Sequence, residues 1–525
     1  MPKENNKWEF DGYKLKIKLN IGLYFKIVNI IQTRTINLYD INEQMIEITF
    51  LNIPKEGLLV YIPIGLFSNT ELSLQCDWLT TNRNYYHKFA GVGNLTDNLI
   101  LTKYQQEIIK KVEEKINMLI DKVVPAYITL NLPCGFGKTI LAMYLTFKFQ
   151  FKTFIIVSRK SLITQWINTF KQYLPNLNVV GSYKGVSKFL NKFSLDSDSD
   201  NCENSAIIEN NDLLIENIDV LIFPDKHLKN NNFVKYLIQN FSICFVEESH
   251  LYNLFNDTSI TKFLTFNSFP FVFALSATDK EEHKLFFGSK ISLSPNSLGE
   301  FIADKKLNKI LYIVDTEFEL KKFTSEEITK NLNRLRILTK HSNYNDKKKL
   351  FEINTLRNKI ISLDLYRTQF IISNIINSFK NSNVAQPRIL VLTNYRHEMD
   401  LYYKNIKEQI LEHTYIADAK ANINEICELV KNLDKFILIS TCHAIGTGID
   451  IKSLNILHLT FTTKNEKFVQ QYFGRIERDY DEKNRYIYIY NILSIIELES
   501  FLRERNDVIK TVCNNNDWKP THIVI

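Results

Sequence analysis

Leu132-Pro133-Cys134-Gly135-Phe136-Gly137-Lys138-Thr139 follows the apolar run Tyr127-Ile128-Thr129-Leu130 and opens the helical pattern Ile140-Leu141-Ala142-Met143-Tyr144. A strand, a glycine-bearing loop and Lys-Thr at a helix start form the context that a phosphate-binding loop requires. Gly135 and Gly137 allow the backbone between Cys134 and Lys138 to curl, so that successive N–H groups around Phe136 face a phosphate. Lys138 is placed to reach the β- and γ-phosphates, and the Thr139 hydroxyl to ligate Mg²⁺. ATP and Mg²⁺ are therefore the expected cofactors. A general phosphate loop has a further glycine where this chain has Leu132.

A nucleotide site also needs acidic groups to hold the cation and to polarise the attacking water. Ile243-Cys244-Phe245-Val246-Glu247-Glu248-Ser249-His250 is a buried-strand pattern that ends in two carboxylates. At the carboxyl end of a parallel strand they would lie beside the phosphate loop. Glu247 is then the metal-associated acid, Glu248 the base for water and His250 a coupling residue. Asp is usual at the first of these places, and Glu is one methylene longer. Leu275-Ser276-Ala277-Thr278 ends another buried run, with Ser276 and Thr278 as further coupling residues.

Work outward from these segments and β runs alternate with helical patterns: Ala126–Leu132, Thr153–Val157, Val220–Phe223, Ser242–Val246 and Phe271–Leu275. A second series starts near Arg388 and runs through Phe436–Ser440, Ile456–Phe461 and Tyr486–Tyr490. Such alternation implies an α/β chain with parallel sheets. Gln471-Tyr472-Phe473-Gly474-Arg475-Ile476-Glu477-Arg478 lies in the second series, and helical spacing would bring Gln471, Arg475 and Arg478 to one face. Two arginines can stabilise charge that develops on a γ-phosphate. Upstream, Thr441 follows a strand and Asp450 a Gly-bearing turn, which suits Thr441 for a nucleic-acid phosphate and Asp450 for the nucleotide side.

Residues 1–95 read as a β-rich domain of unknown role, with Tyr13–Leu19 alternating at period two. Residues 96–295 then form a first α/β lobe, 296–385 a linker or insertion, 386–500 a second lobe and 501–525 a tail. Asp196, Asp198 and Asp200 stand in a polar, acidic stretch, roughly 194–212, that reads as an exposed loop. Across 525 residues, 65 basic and 58 acidic side chains leave a net charge of +7, a mild excess that suits one phosphate-facing surface. The seven cysteines form no Cys-x-x-Cys pair, which speaks against a disulfide framework and for a reducing compartment. No secretory leader or membrane span is expected.

In order, these segments resemble the motifs of superfamily-two helicases over roughly residues 100–480, with two RecA-like lobes that bind ATP between them. Leu101-Thr102-Lys103-Tyr104-Gln105 resembles the adenine-sensing motif, which implies a base contact by Gln105. Val157-Ser158-Arg159-Lys160 resembles the first nucleic-acid motif and Arg388–Arg396 the motif that opens the second lobe, implying contacts by Arg159 and Thr393. Tyr127–Thr139 and Glu248–Leu254 look most like the poxvirus transcript-release DNA helicases. That resemblance implies a DNA-dependent ATPase and 3′-to-5′ helicase that frees nascent RNA, acts with the viral transcription machinery in the host cytoplasm and is packaged in virions. The residues themselves leave DNA against RNA open, and unwinding against translocation. They also leave open a non-catalytic scaffold, for which Glu247, in place of the usual Asp, is the only support; Asp279, in place of the usual Pro, and the acidic insertion are the other departures from the family pattern.

Overall fold

The computed structural model describes residues 8–11, 14–68, 86–89, 94–96, 99–121, 125–133, 135–181, 218–278, 280–305, 307–315, 326–340, 347–417, 423–445, 451, 453–478, 482–491 and 496–524. They divide into two compact units, Met1–Ser297 and Leu298–Ile525. The acidic stretch at 194–212 falls outside the described residues.

The first unit opens with an antiparallel sheet of β1 (Trp8–Asp11), β2 (Lys14–Leu19), β3 (Ile36–Asp40), β4 (Met45–Ile48) and β5 (Leu58–Tyr61), in the order β1-β2-β5-β3-β4. The period-two alternation of β2 explains its placement: Leu15, Ile17 and Leu19 are wholly buried, while Lys18 is exposed. The Asn20 side chain accepts from the Leu23 N–H at 2.8 Å and starts the helix Ile21–Ile31, which buries Tyr24, Ile27 and Ile31. This sheet is fastened to the lobe that follows. Tyr39 donates to Asp257 Oδ1 at 2.7 Å and Asn37 to the Phe255 carbonyl at 2.9 Å. The rings of Tyr39 and Tyr61 lie 5.0 and 5.2 Å from that of Phe266.

The lobe itself is a seven-stranded, wholly parallel sheet in the order β12-β6-β11-β10-β7-β9-β8. Its strands are β6 (Ala126–Asn131), β7 (Thr153–Val157), β8 (Val179–Gly181), β9 (Val220–Pro224), β10 (Ile243–Val246), β11 (Phe271–Ser276) and β12 (Ser289–Ile291). Runs such as Phe271–Ser276 are buried at every position because helices cover both faces of a parallel sheet.

The second unit holds another seven-stranded parallel sheet, in the order β15-β16-β14-β17-β18-β13-β19. Here the strands are β13 (Asn308–Asp315), β14 (Arg388–Thr393), β15 (Thr414–Ala417), β16 (Phe436–Thr441), β17 (Ile456–Leu459), β18 (Asn484–Tyr490) and β19 (Lys519–Val524). Two expected boundaries move. The stretch 296–385, read as a linker, supplies β13, which pairs with β18 and β19, and the stretch 501–525, read as a tail, supplies β19. Helices Glu326–Lys340, Lys347–Ser362 and Ile496–Asn516 share a core of Ile328, Leu335, Ile353, Ile360, Leu498 and Phe501. The reason is burial: Leu311 and Ile313 enter the core on one face of the sheet and Val314 the core on the other, so the strand's backbone is satisfied by pairing with β18 and β19 and not by water. Among the described residues, no helix is long and apolar enough to cross a membrane.

Candidate nucleotide site

Strand order brings the first-lobe motifs together. β11 lies between β6 and β10, so the phosphate loop, the Ser-Ala-Thr turn and the acidic turn all leave the carboxyl end of the sheet side by side. The loop is tied to its neighbour where the Leu132 N–H donates to the Ser276 carbonyl at 2.8 Å. Gly135 and Gly137 take φ of 74° and 86°, the left-handed region in which a side chain is strained. Gly137 caps the helix Lys138–Phe149, so Lys138 and Thr139 occupy its first turn, where N–H groups have no helical acceptor and anions bind. Cys134 lies outside the described residues.

Gln105 is buried against this loop. Thr102 and Gln105 form a reciprocal capping box at the start of the helix Lys103–Asp121: Gln105 N–H donates to Thr102 Oγ1 at 3.2 Å, and Thr102 N–H to Gln105 Oε1 at 3.0 Å. The Gln105 amide then donates to the Phe136 carbonyl at 3.1 Å. A Cβ at residue 137 would stand 2.8 Å from Gln105 Nε2 and would displace that amide, in addition to the strain its φ would carry.

The acidic turn follows β10, where the Glu247 N–H donates to the Ile156 carbonyl at 2.9 Å. Glu247 is 6% exposed, and burial, then the adjacent Glu248 charge, push its carboxyl well above the ordinary range; Lys138 pulls it back down. The two expected partners, Lys138 and Glu247, therefore do share one site. Glu247 Oε2 is buried with no hydrogen-bond partner, so its lone pairs are available to ligate a cation or to accept from the cation's water shell. The residues present thus fit Mg²⁺-nucleotide: a glycine-bearing cradle, Lys138, the Thr139 hydroxyl and an orphaned carboxylate. Glu248 sits at φ 46°, ψ 49°, a left-handed conformation that costs a non-glycine residue on the order of 1–3 kcal/mol.

A polar chain leads away from Glu248. His250 Nδ1 stands 3.3 Å from Glu248 Oε2 and 3.1 Å from Ser276 Oγ. Ser276 donates its single proton to the Thr278 carbonyl at 2.6 Å and accepts from the Thr278 N–H at 3.1 Å. Its oxygen is left as an acceptor toward His250, which assigns the imidazole proton to Nδ1. Glu248, His250, Ser276 and the Thr278 backbone are so brought together. The Thr278 hydroxyl itself has no hydrogen-bond partner.

In the second unit one expectation is corrected. The helix carrying Gln471 is Glu466–Phe473, so Arg475 and Arg478 lie beyond its end and not on its face. Gly474 closes the helix by donating to the Gln470 carbonyl at 2.9 Å, and Arg475 and Ile476 N–H groups bond three residues back, which tightens the chain into a turn. Gln471 is buried, and the two arginines are half-buried. Four residues that the motifs did not single out hold this turn. Arg485, buried in β18, donates to the carbonyls of Ile476, Arg478 and Glu482. Glu477 turns inward and accepts from Lys309 at 3.2 Å and from the Trp518 indole at 2.6 Å. No local pattern marks them, because each acts across the sheet.

The remaining candidates divide. Arg159 is half-buried at the end of β7. The Thr441 hydroxyl accepts from the Ala444 N–H at 3.2 Å and starts a short turn of helix. Thr393 is wholly buried, with its hydroxyl directed to the Tyr395 and Ser440 carbonyls, so the structure gives it an internal role in place of the expected nucleic-acid contact. Asp450 lies outside the described residues.

Known proteins bear on this arrangement. The family model described as "Type III restriction enzyme, res subunit" matches residues 98–281, the stretch from before Gln105 to just past Thr278. Transcript termination protein A18 of cowpox virus (strain GRI-90 / Grishak) is 29% identical over 487 residues, 92% of this chain and 88% of that protein. Its counterpart in rabbit fibroma virus (strain Kasza) is 29% identical over 502 residues, 94% and 93% of the two chains. The chain resembles the poxvirus transcript termination proteins along most of its length. A solved structure, an ATP-dependent Type ISP restriction-modification enzyme, LlaBIII, bound to DNA, superposes with a TM-score of 0.51 at 12% identity, over 81% of this chain and 32% of that one. It shares the fold. The resemblance to superfamily-two helicases, and within them to the poxvirus transcript termination proteins, stands on these matches, as do the two RecA-like lobes. The chain resembles ATP-using proteins of the helicase class.

Proposed function

We propose that the chain is an ATP-driven motor that tracks along nucleic acid, DNA in preference to RNA, and frees nascent transcripts from the viral polymerase in the host cytoplasm. The observation that supports the motor reading is a buried Glu247 carboxyl that feels the Lys138 charge, with its Oε2 free of hydrogen-bond partners, at the carboxyl end of one sheet. The names of the poxvirus relatives support transcript release, and packaging in virions is part of the same proposal.

Mg²⁺, when bound, would neutralise the phosphate oxygens and stiffen the nucleotide against displacement. Thr139 and Glu247 are the residues to hold it. Glu248 is proposed as the base that orients water, with His250 Nδ1 beside it at 3.3 Å to position it. Gln105 anchors the loop and is proposed to read the base. Gln471, Arg475 and Arg478 are proposed to contribute donors and positive charge during turnover. Arg159 and Thr441 are proposed to hold strand phosphates.

The test is steady-state ATP hydrolysis by the full chain, alone and with single-stranded DNA, duplex DNA or RNA, beside Lys138→Ala. Parent turnover should rise with DNA more than with RNA. The variant should lose the stimulated rate by at least ~10²-fold, the scale of one preorganised charge at a transition state, while keeping its melting temperature. Stimulated turnover that survives Lys138→Ala removes the phosphate-loop assignment.

A further inference from the structure

The first unit contains a groove of about 980 Å³ whose walls come from two places far apart in sequence. Lys14 comes from β2 and Glu43 from the turn between β3 and β4, while the helices Asn231–Asn240 and Ser259–Phe266 of the lobe, with the residues that flank them, form the rest. None of the nucleotide-site residues lines it.

Its lining is basic and rich in donors. Four lysines, Lys14, Lys229, Lys235 and Lys262, face two carboxylates, Glu43 and Asp257. Both carboxylates are already matched: Glu43 by Lys14, and Asp257 by Lys262 at 3.2 Å and by the Tyr39 hydroxyl at 2.7 Å. Lys229 and Lys235 are exposed and carry the surplus, although Asp225, outside the lining, also feels Lys229. Beside them stand Asn231 and Gln239, on the exposed face of the same helix, and Ser259; the Thr258 hydroxyl is engaged with Thr261 at the start of its helix. Lysine, amide and hydroxyl donors in this proportion are the set that grips phosphodiester oxygens without reading bases. The apolar residues of the lining, Phe263 and Phe266 among them, are buried as the floor, so they offer no open pocket to the apolar anchors of a peptide.

We propose that this groove is a second nucleic-acid contact, a phosphate-binding channel in which the N-terminal sheet and the first lobe hold a segment of the polynucleotide backbone away from the nucleotide site. It assigns residues 14–68 a role as one wall of that channel. The inference rests on the motor reading only for the class of partner.

The test measures affinity of the full chain for a fluorescein-labelled mixed-sequence DNA oligonucleotide across a salt series by anisotropy, with an RNA of the same sequence as a second arm. Lys229→Ala/Lys235→Ala should lower the slope of log affinity against log salt by about 1.4, two single-strand phosphates at about 0.7 each. ATP hydrolysis without nucleic acid should not change. Lys26→Ala/Lys55→Ala, which removes the same charge from exposed positions outside the groove, should leave the slope in place. Equal slope loss in both pairs, or none in the first, overturns the proposal. Retained oligonucleotide slope with lost binding of a polyglutamate peptide overturns it too, and makes the groove a site for acidic protein. A parent chain that hydrolyses ATP but is never stimulated by nucleic acid would instead sink the motor reading, and the salt series still judges the groove.

Discussion

Glu247 is the residue on which the site's electrostatics turn. Its carboxyl, raised by burial and by Glu248, holds a proton that the unfolded chain gives up near the ordinary carboxylate value. From there to about 8 the native nucleotide-free chain binds more protons than the unfolded one, so its stability falls as pH rises. Glu247→Gln removes that dependence. The variant should gain melting temperature over the parent at pH 8 and gain less at pH 5, measured without nucleotide; a difference that is the same at both pH values would show that the carboxyl is ordinary. Glu247 and Lys138 were both legible in the linear motifs, since each follows a recognisable strand. Their mutual influence was not, because it depends on β11 lying between β6 and β10.

At the scale of elements, the N-terminal sheet is fixed by a backbone contact. Gly65 lies in the short helical turn Ile64–Ser68 against the end of the helix Glu281–Phe286, where a Cβ would overlap the Phe286 carbonyl. Backbone cannot move aside as a flexible side chain can. Gly65→Ala should therefore cost about 1–3 kcal/mol in denaturant unfolding, the usual range for overpacking. An unchanged midpoint would mean that this turn is not held against the lobe. The turn carrying Arg475 and Arg478 makes the complementary point. Helical spacing suggested one face, but the helix ends at Phe473 and Arg485 gathers the carbonyls that follow. An element boundary of a few residues was enough to change which side chains can share a face.

The whole second unit is stitched by a buried histidine. His458, on β17, receives the Tyr490 hydroxyl at Nδ1 at 2.7 Å and donates from Nε2 to Ser378 Oγ at 2.9 Å, because Ser378 spends its own proton on the Asn374 carbonyl. Burial pushes its pKa down to about 3. Below the ordinary histidine value of about 6.5 the unfolded chain takes up a proton that the native one refuses, so stability is lost as pH falls from there toward 3. Within that window the loss approaches about 1.4 kcal/mol per pH unit. His458→Gln should shrink the difference in unfolding free energy between pH 7 and pH 5, whatever it does to stability at either. A difference of parental size would place the acid sensitivity elsewhere. Helices at both ends of this unit share a core, so the acid transition should involve residues 326–340 and 496–516 together.

Local chemistry alone determined the α/β class, the phosphate loop, the acidic strand end and the order of the motifs. Those signals are short range: glycine where φ must be positive, apolar runs where a strand is buried on both faces, Lys-Thr where a helix begins. Tertiary structure decided what depends on distant neighbours. It drew β13 and β19 into the second sheet, because β13 is buried on both faces, with Leu311 and Ile313 on one and Val314 on the other, and its backbone is satisfied by strands on either side. It buried Thr393, and it made Arg485, Lys309 and Trp518 the supports of a turn to which no motif connects them, with Glu477 of the motif itself turned inward to meet them. Residues 14–68 carry no chemical motif, and only packing against Asp257, Phe266 and Phe286 reveals them as a wall of the first unit.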